Sequence, residues 1–228
     1  MNYNHYLVFD LETGGLKEDC EILQIAAVIL DGRRLNQLDT FQSLIKPEFP
    51  EKVNASALKV NRLTLSQLEK EPSPEIVWSK FVDFCNKYNQ SKSTLDNFKA
   101  VIPCGFNIVN FDLPILTRYA KRFGPWDTKR NQQKLWHQRH HIDLFQWLFT
   151  WFENNSSLSS LKLTNIAEYM GVSKEVLEGA HDALFDTKLC AEVIVRLLKM
   201  QRYLTSIDSS TGKRRLEFKG KMKGYNNG

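Results

Sequence analysis

Apolar and polar positions fall into two regimes along the chain. Tyr6–Leu11 and Ile22–Leu30 are dense in Val, Ile, Leu and Phe and read as strands, Asp31-Gly32 is a turn signal, and Asn36–Ile45 reads as the strand that returns. The start is therefore a predicted antiparallel run of three strands, broken at Pro47 and Pro50. Residues 55–88 carry helical patterning: Ile76, Val77, Phe81, Phe84 and Cys85 fall near helical spacing, and Ser73-Pro74 suits a helix start. Asn86–Lys99 is polar and reads as a loop, and Ala100–Cys104 reads as a short interior strand.

Phe111–Phe123 predicts a helix that tolerates Pro114 in its first turn. Gly124–Arg139 is polar and reads as irregular, and His141–Asp143 ends another short strand. Leu144–Phe152 and Leu161–Met170 look helical, the second stopped by Gly171. Ala183–Met200 is the longest helix, apolar on most sides and so expected to be buried. No internal repeat is visible. Strands first, then strands alternating with helices, predict an α/β sheet with helices on both faces.

Composition narrows the picture. With 228 residues and 42% of them hydrophobic, the chain can bury a core, which argues against disorder throughout. No apolar run approaches the roughly 18–20 residues of a membrane helix. Met1 to Tyr6 is polar and lacks the basic-then-apolar layout of a secretion signal. Cys20, Cys85, Cys104 and Cys190 form no C-x-x-C pair and read as isolated thiols, the pattern of a cytoplasmic protein.

The net charge of +5 is local. Lys213, Arg214, Arg215, Lys219, Lys221 and Lys223 stand against the single acid Glu217 after Ser210, a balance that accounts for the whole excess. The expected division is a domain over 1–205 and a basic tail over 206–228. That tail is either a phosphate-attracting arm or a solvated segment kept for solubility.

The acids change the picture more. Strand side chains alternate, so Asp10 and Glu12 share one face and Phe9 and Leu11 the other. Two acids on one face of an interior strand repel each other and cost desolvation, which a divalent cation would offset. The alternative is that they mark the exposed end of the strand. Asp112 precedes a proline-marked helix start and reads as either an N-cap or a ligand. His181 and Asp186 are five residues apart, about 140° on one helix, so they converge only if His181 sits on the loop entering the helix and Asp186 in its second turn. Asp186 shares a face with Cys190, Val193 and Leu197, and ionised acids are rarely buried without a partner.

These residues lie in segments that resemble the DnaQ-like (DEDDh) 3′–5′ exonucleases, of RNase H-like fold. Phe9-Asp10-Leu11-Glu12-Thr13-Gly14-Gly15-Leu16 resembles that family's first motif, Gly105-Phe106-Asn107 through Asp112 the second, and His181-Asp182-Ala183-Leu184-Phe185-Asp186-Thr187 the third, with H-x-A-x-x-D spacing. Ile45-Lys46-Pro47 and Leu161–Gly171 also fit the family's layout, and the resemblance covers about residues 5–200.

It implies a central mixed five-stranded sheet with helices on both faces. It implies that Asp10, Glu12, Asp112 and Asp186 bind two divalent metal ions, Mg²⁺ or Mn²⁺, with His181 as general base, and that nucleoside 5′-monophosphates are released. It further implies that Thr13, Gly14, Gly15 and Leu16, with Phe106 and Asn107, meet the substrate, the 3′ end of single-stranded DNA or RNA. A polymerase or another replication or repair protein is the implied partner. Gly14-Gly15 stands where many relatives have Thr-Gly, and Phe106 where others have His. Both departures bear on substrate fit, as do the variable segments 86–99 and 124–140. The competing class is a catalytically silent nucleic-acid-binding or scaffold module of the same fold, which loss of a ligand or of the histidine would favour; all five residues are present.

Other conspicuous residues read more plainly. Trp136-His137-Gln138-Arg139-His140-His141 is expected to present exposed or phosphate-facing side chains and not a metal cluster. Asp143 reads as the N-cap of the helix at Leu144, and Trp147 and Trp151 as core packing.

Overall fold

The computed structural model describes residues 4–17, 19–90, 99–153, 156, 158, 160–172, 183–213 and 215. The three early strands form where expected: β1 (Tyr6–Thr13), β2 (Ile22–Leu30) and β3 (Gln37–Leu44). β1 runs two residues further than the apolar run suggests, which sets Glu12 within the strand and not beyond its end. β2 is buried along its full length, as its unbroken apolar composition requires.

The helical stretch 55–88 is three helices: α1 (Ala55–Val60), α2 (Leu65–Leu68) and α3 (Pro74–Tyr88). The break before α2 has a local cause. Thr64 Oγ1 accepts from Gln67 N–H while the Gln67 side chain accepts from Thr64 N–H, a reciprocal cap that starts a new helix. The short β4 (Ile102–Gly105) then leads to α4 (Asp112–Phe123).

The segment read as irregular contains a small hairpin, β5 (Trp126–Asp127) against β6 (Gln132–Gln133). It also buries Trp136 and His137, contrary to the exposure expected for that run. His137 Nδ1 accepts from the backbone N–H groups of Arg139 and His140, at 3.2 and 3.0 Å, so the imidazole satisfies a turn and can afford burial. Gln138 to His141 are exposed as expected.

β7 (Ile142–Asp143), α5 (Leu144–Phe152), α6 (Leu163–Tyr169) and α7 (Ala183–Leu204) complete the described elements. On α5 the core assignment of the tryptophans fails at Trp151, which is 44% exposed, as is its neighbour Phe149 at 47%; Trp147 is half-buried. Seven of the nine residues of this helix are apolar, so beside the exposed Gln146 and Thr150 it carries more apolar side chains than its neighbours cover.

The sheet order is β3-β2-β1-β4-β7, with β2 antiparallel to both β1 and β3, and β4 and β7 parallel to β1. This is the mixed five-stranded sheet of the expected fold. Leu7, Phe9 and Leu11 face the core that α3 and α4 supply through Val77, Trp78, Phe81, Ile115 and Leu116. On the opposite face of the sheet α7 brings buried Ala183, Leu189, Cys190 and Val193.

Contacts divide the chain into Met1–Val193, which holds the whole sheet, and Ile194–Gly228, which holds the end of α7 and the residues after it. Within the latter, Arg215 pairs with Asp208 at 2.7 Å. Among the described residues no helix is long and apolar enough to cross a membrane.

Candidate active site

Alternation along β1 puts Asp10 and Glu12 on the face opposite Leu7, Phe9 and Leu11. Asp186 reaches the same place from the first described turn of α7. One oxygen from each of Asp10, Glu12 and Asp186 lies within 4.8 Å of the other two. Asp112 adjoins this triad without joining it at that spacing, and its charge is felt at Asp10. It is the first residue of α4, with Phe111 at the N-cap position, so the N-cap reading of Asp112 does not hold.

The electrostatics are those of crowded like charges. Burial raises the Asp10 carboxyl well above its ordinary range, and Asp112, Glu12 and Asp186 add to the rise in that order. Asp112 is 5% exposed, and burial pushes it up to about 7; Asp143 and Glu12 add to the rise, while the backbone N–H groups of Asp112 and Leu11 pull the other way. Convergent carboxylate oxygens with raised proton affinity suit a hard divalent cation, which takes oxygen ligands and relieves the repulsion.

Local structure explains how each acid is held. Gly105 ends β4, and a Cβ there would lie 2.3 Å from Ile108 Cγ2 and 2.8 Å from Phe9 O, so glycine is what lets the second motif approach β1. Asn107 adopts a left-handed conformation at φ 59°. Asp143 does cap α5, accepting from Phe145 and Gln146 N–H, and it also accepts from Asn107 and Val109 N–H at 3.0 Å each. One buried carboxylate thus ties the loop before Asp112 to the end of β7.

After Glu12 the chain is stitched to the segment before α1. Asn54 N–H donates to Gly14 O at 2.8 Å, Asn61 Nδ2 to Thr13 O at 3.0 Å, and Thr13 Oγ1 to Gly15 O at 2.8 Å. A Cβ on Gly15 would meet Asn54 Nδ2 at 2.7 Å. Beside Glu12 lies a groove of about 480 Å³, lined among others by Thr13, Gly15, Leu16, Asn61 and Phe111. Leu16 is 90% exposed, and its side chain stands at the edge of this groove.

Of the expected substrate residues, Thr13, Gly15 and Leu16 line the groove with Glu12. Phe106 instead packs edge-on against Phe145, 5.6 Å between ring centroids, and neither it nor Asn107 lines the groove. Sequence reasoning missed Phe111 and the wall formed by Asn54, Ala57, Val60 and Asn61. The one local hint was the asparagine at each end of α1. His181 lies outside the described residues.

A family model described as exonuclease, RNase T, matches residues 7–194. Among solved structures, the nuclease domain of 3'hExo, a DEDDh family member, bound to rAMP, is similar with a TM-score of 0.62 at 18% identity, over 87% of this chain and 93% of that one. A 3'-exonuclease that recognises the 3' end of a histone mRNA stem-loop has a TM-score of 0.59 at 17% identity, over 88% and 84%. Exonuclease I of E. coli in complex with a dT13 oligonucleotide has a TM-score of 0.66 at 17% identity, over 89% of this chain and 44% of that one. At these identities the likeness is one of fold. Among curated proteins no sequence matches.

Proposed function

The chain belongs to the RNase T exonuclease family, and from that premise we propose that it is a metal-dependent 3′–5′ exonuclease acting on single-stranded DNA or RNA. The observation that carries the reading is the convergence of Asp10, Glu12 and Asp186, with Asp112 beside them, next to a groove that begins at Glu12. The class of substrate is that of the fold relatives, which hold rAMP, dT13 and an RNA 3' end.

In this reading Asp10, Glu12, Asp112 and Asp186 would hold divalent ions, two Mg²⁺ or Mn²⁺. Such ions neutralise the phosphate and acidify water. Thr13 and Gly15 bring backbone close to the terminal nucleotide, and Leu16 offers its exposed side chain to a base. His181, at the H-x-A-x-x-D position, takes the proton of the attacking water. Water attacks the phosphorus of the last phosphodiester, the bond to the 3′ oxygen of the preceding nucleotide breaks, that oxygen takes a proton from solvent and becomes the new 3′-hydroxyl of the shortened strand, and a nucleoside 5′-monophosphate is released. Residues 1–205 form the catalytic domain, and the basic segment 206–228 attracts phosphates without reading sequence. A polymerase or repair protein is a fitting partner for this chemistry.

The test is degradation of 3′-labelled and 5′-labelled strands of DNA and RNA with Mg²⁺ or Mn²⁺. The expected result is immediate release of the 3′-terminal mononucleotide, abolished by chelation, by Asp186→Ala and by His181→Ala. Release from the 5′ end, or internal cutting, sinks the assignment of direction. Metal-dependent release that survives Asp186→Ala sinks the assignment of the site.

A further inference from the structure

The turn that joins β1 to β2 carries Leu16 at the edge of the groove. Gly14 N–H closes this turn on Glu21 O at 2.8 Å, and Cys20 N–H donates to Lys17 O at 3.0 Å. Its near end is held by Asn54 and Asn61, as described above. Its far end is held by α4. The Arg118 guanidinium donates to Cys20 O, and Ile22 N–H donates to Tyr119 Oη at 3.3 Å. Tyr119 is itself fixed, buried with its ring 5.7 Å from those of Trp78 and Phe123. The Arg118 guanidinium lies 5.5 Å from the centre of the Tyr119 ring.

Arg118 stands six residues after Asp112 on the same helix, about 9 Å along its axis. One rigid element therefore carries an acid of the site at its first residue and a clamp on the turn further along. The next turn of α4 reaches the segment before α1: Arg122 donates to Glu48 at 2.9 Å, and Glu48 N–H donates to Glu21 Oε2 at 3.0 Å.

Stability does not account for Arg118. Among the described residues its Nε is buried with no hydrogen-bond partner, and an unpaired buried donor costs free energy that an apolar side chain would not. Arg118 does not line the groove either. What it does hold is one backbone carbonyl of the turn, through a bond that its charge strengthens.

We propose that Arg118 is a positioning residue for the terminal nucleotide, which it serves through Cys20 O by fixing the turn that presents Leu16. The inference rests on the exonuclease reading and deepens it, by naming a residue outside the groove that sets how the groove grips its nucleotide.

The experiment uses the full-length protein with Arg118→Met, Arg118→Lys, Leu16→Ala and the double variant of Arg118→Met with Leu16→Ala. Methionine keeps much of the apolar stem and removes the donors. On a single-stranded octanucleotide with Mg²⁺ or Mn²⁺, Arg118→Met is expected to raise KM about tenfold, the effect of one charge-assisted hydrogen bond, and to leave kcat within about twofold. In the Leu16→Ala background the same substitution should raise KM less than about twofold, because two positions that share no partner behave additively unless one acts through the other. Arg118→Lys keeps a charged donor and should recover part of the loss. In EDTA, trypsin should cut after Lys17 faster in Arg118→Met than in the wild type, while Tm changes little, because the lost bond is offset by the lost unpaired donor.

An unchanged KM, the same rise in KM in both backgrounds, or an unchanged rate of cutting after Lys17 overturns the proposal while leaving the nuclease reading intact. A lower Tm with kcat and KM damaged together also overturns it, by making Arg118 purely structural. If the wild type releases no nucleotide with either metal, the nuclease reading fails and this inference fails with it, a result visible before any substitution is made.

Discussion

Burial holds the Asp112 carboxyl up to about 7, so over a wide range of pH the folded chain keeps a proton there that the unfolded chain has released. Linkage sets the sign. Where the folded state binds more protons, stability falls as pH rises, here from about 4 to about 7 in the metal-free protein. Asp112→Asn should flatten that slope and raise the metal-free Tm at pH 8 relative to the wild type, by up to about 4 kcal/mol of stability. Thermal melts in EDTA at pH 5 and pH 8 check it; an Asn variant with the wild-type slope contradicts the burial argument. Gly105→Ala should act in the other direction. Its Cβ would press on Phe9 O and on the fully buried Ile108, neither of which can yield cheaply, so a loss of about 1–3 kcal/mol in denaturant unfolding is expected.

Caps decide where helices begin and where loops are tied. Asp143 occupies the N-cap of α5 and serves Asn107 and Val109 as well, so Asp143→Ala removes a helix cap and strands two backbone donors in the loop before Asp112. A cap is worth about 1 kcal/mol and each of the two stranded, part-buried donors at least about 1, so the variant should lose about 3 kcal/mol or more in urea unfolding. Asp143→Asn keeps one acceptor oxygen and should lose less. Thr64 and Gln67 mark the start of α2 in the same way. Their T-x-x-Q spacing is legible in the sequence, although the helical patterning around it suggests one long stretch. The tryptophan helix shows the converse. Its composition announces an apolar element, but which side stays wet depends on how many neighbours are available, and Trp151 stays 44% exposed.

At the scale of the whole molecule, the sheet brings carboxylates from distant parts of the chain to one spot and leaves their repulsion to be offset. Mg²⁺ or Mn²⁺ should therefore raise the Tm. Metal at a hundred times its Kd adds about 2.7 kcal/mol to stability. EDTA should reverse the gain, and Asp10→Asn with Asp186→Ala should abolish it; a metal-induced shift that persists in that double variant would place the ion elsewhere.

What the sequence determined by itself is local. Alternation put Asp10 and Glu12 on one strand face, apolar density announced β1 and β2, and the spacing of three short motifs indicated the fold, because each of these depends on neighbours a few residues away. What only the tertiary structure decided is which distant residues meet. Asp186 completes a triad with β1, Asp112 stands beside it as a helix residue and not a cap, and Asn61 walls a groove that no motif contains. Gln24 and Gln42 come to lie on the same sheet face as these acids only because β2 and β3 pair with β1 in one register. Strand register and helix packing are long-range, so side chains with no pattern of their own become parts of a site only when the sheet closes around them.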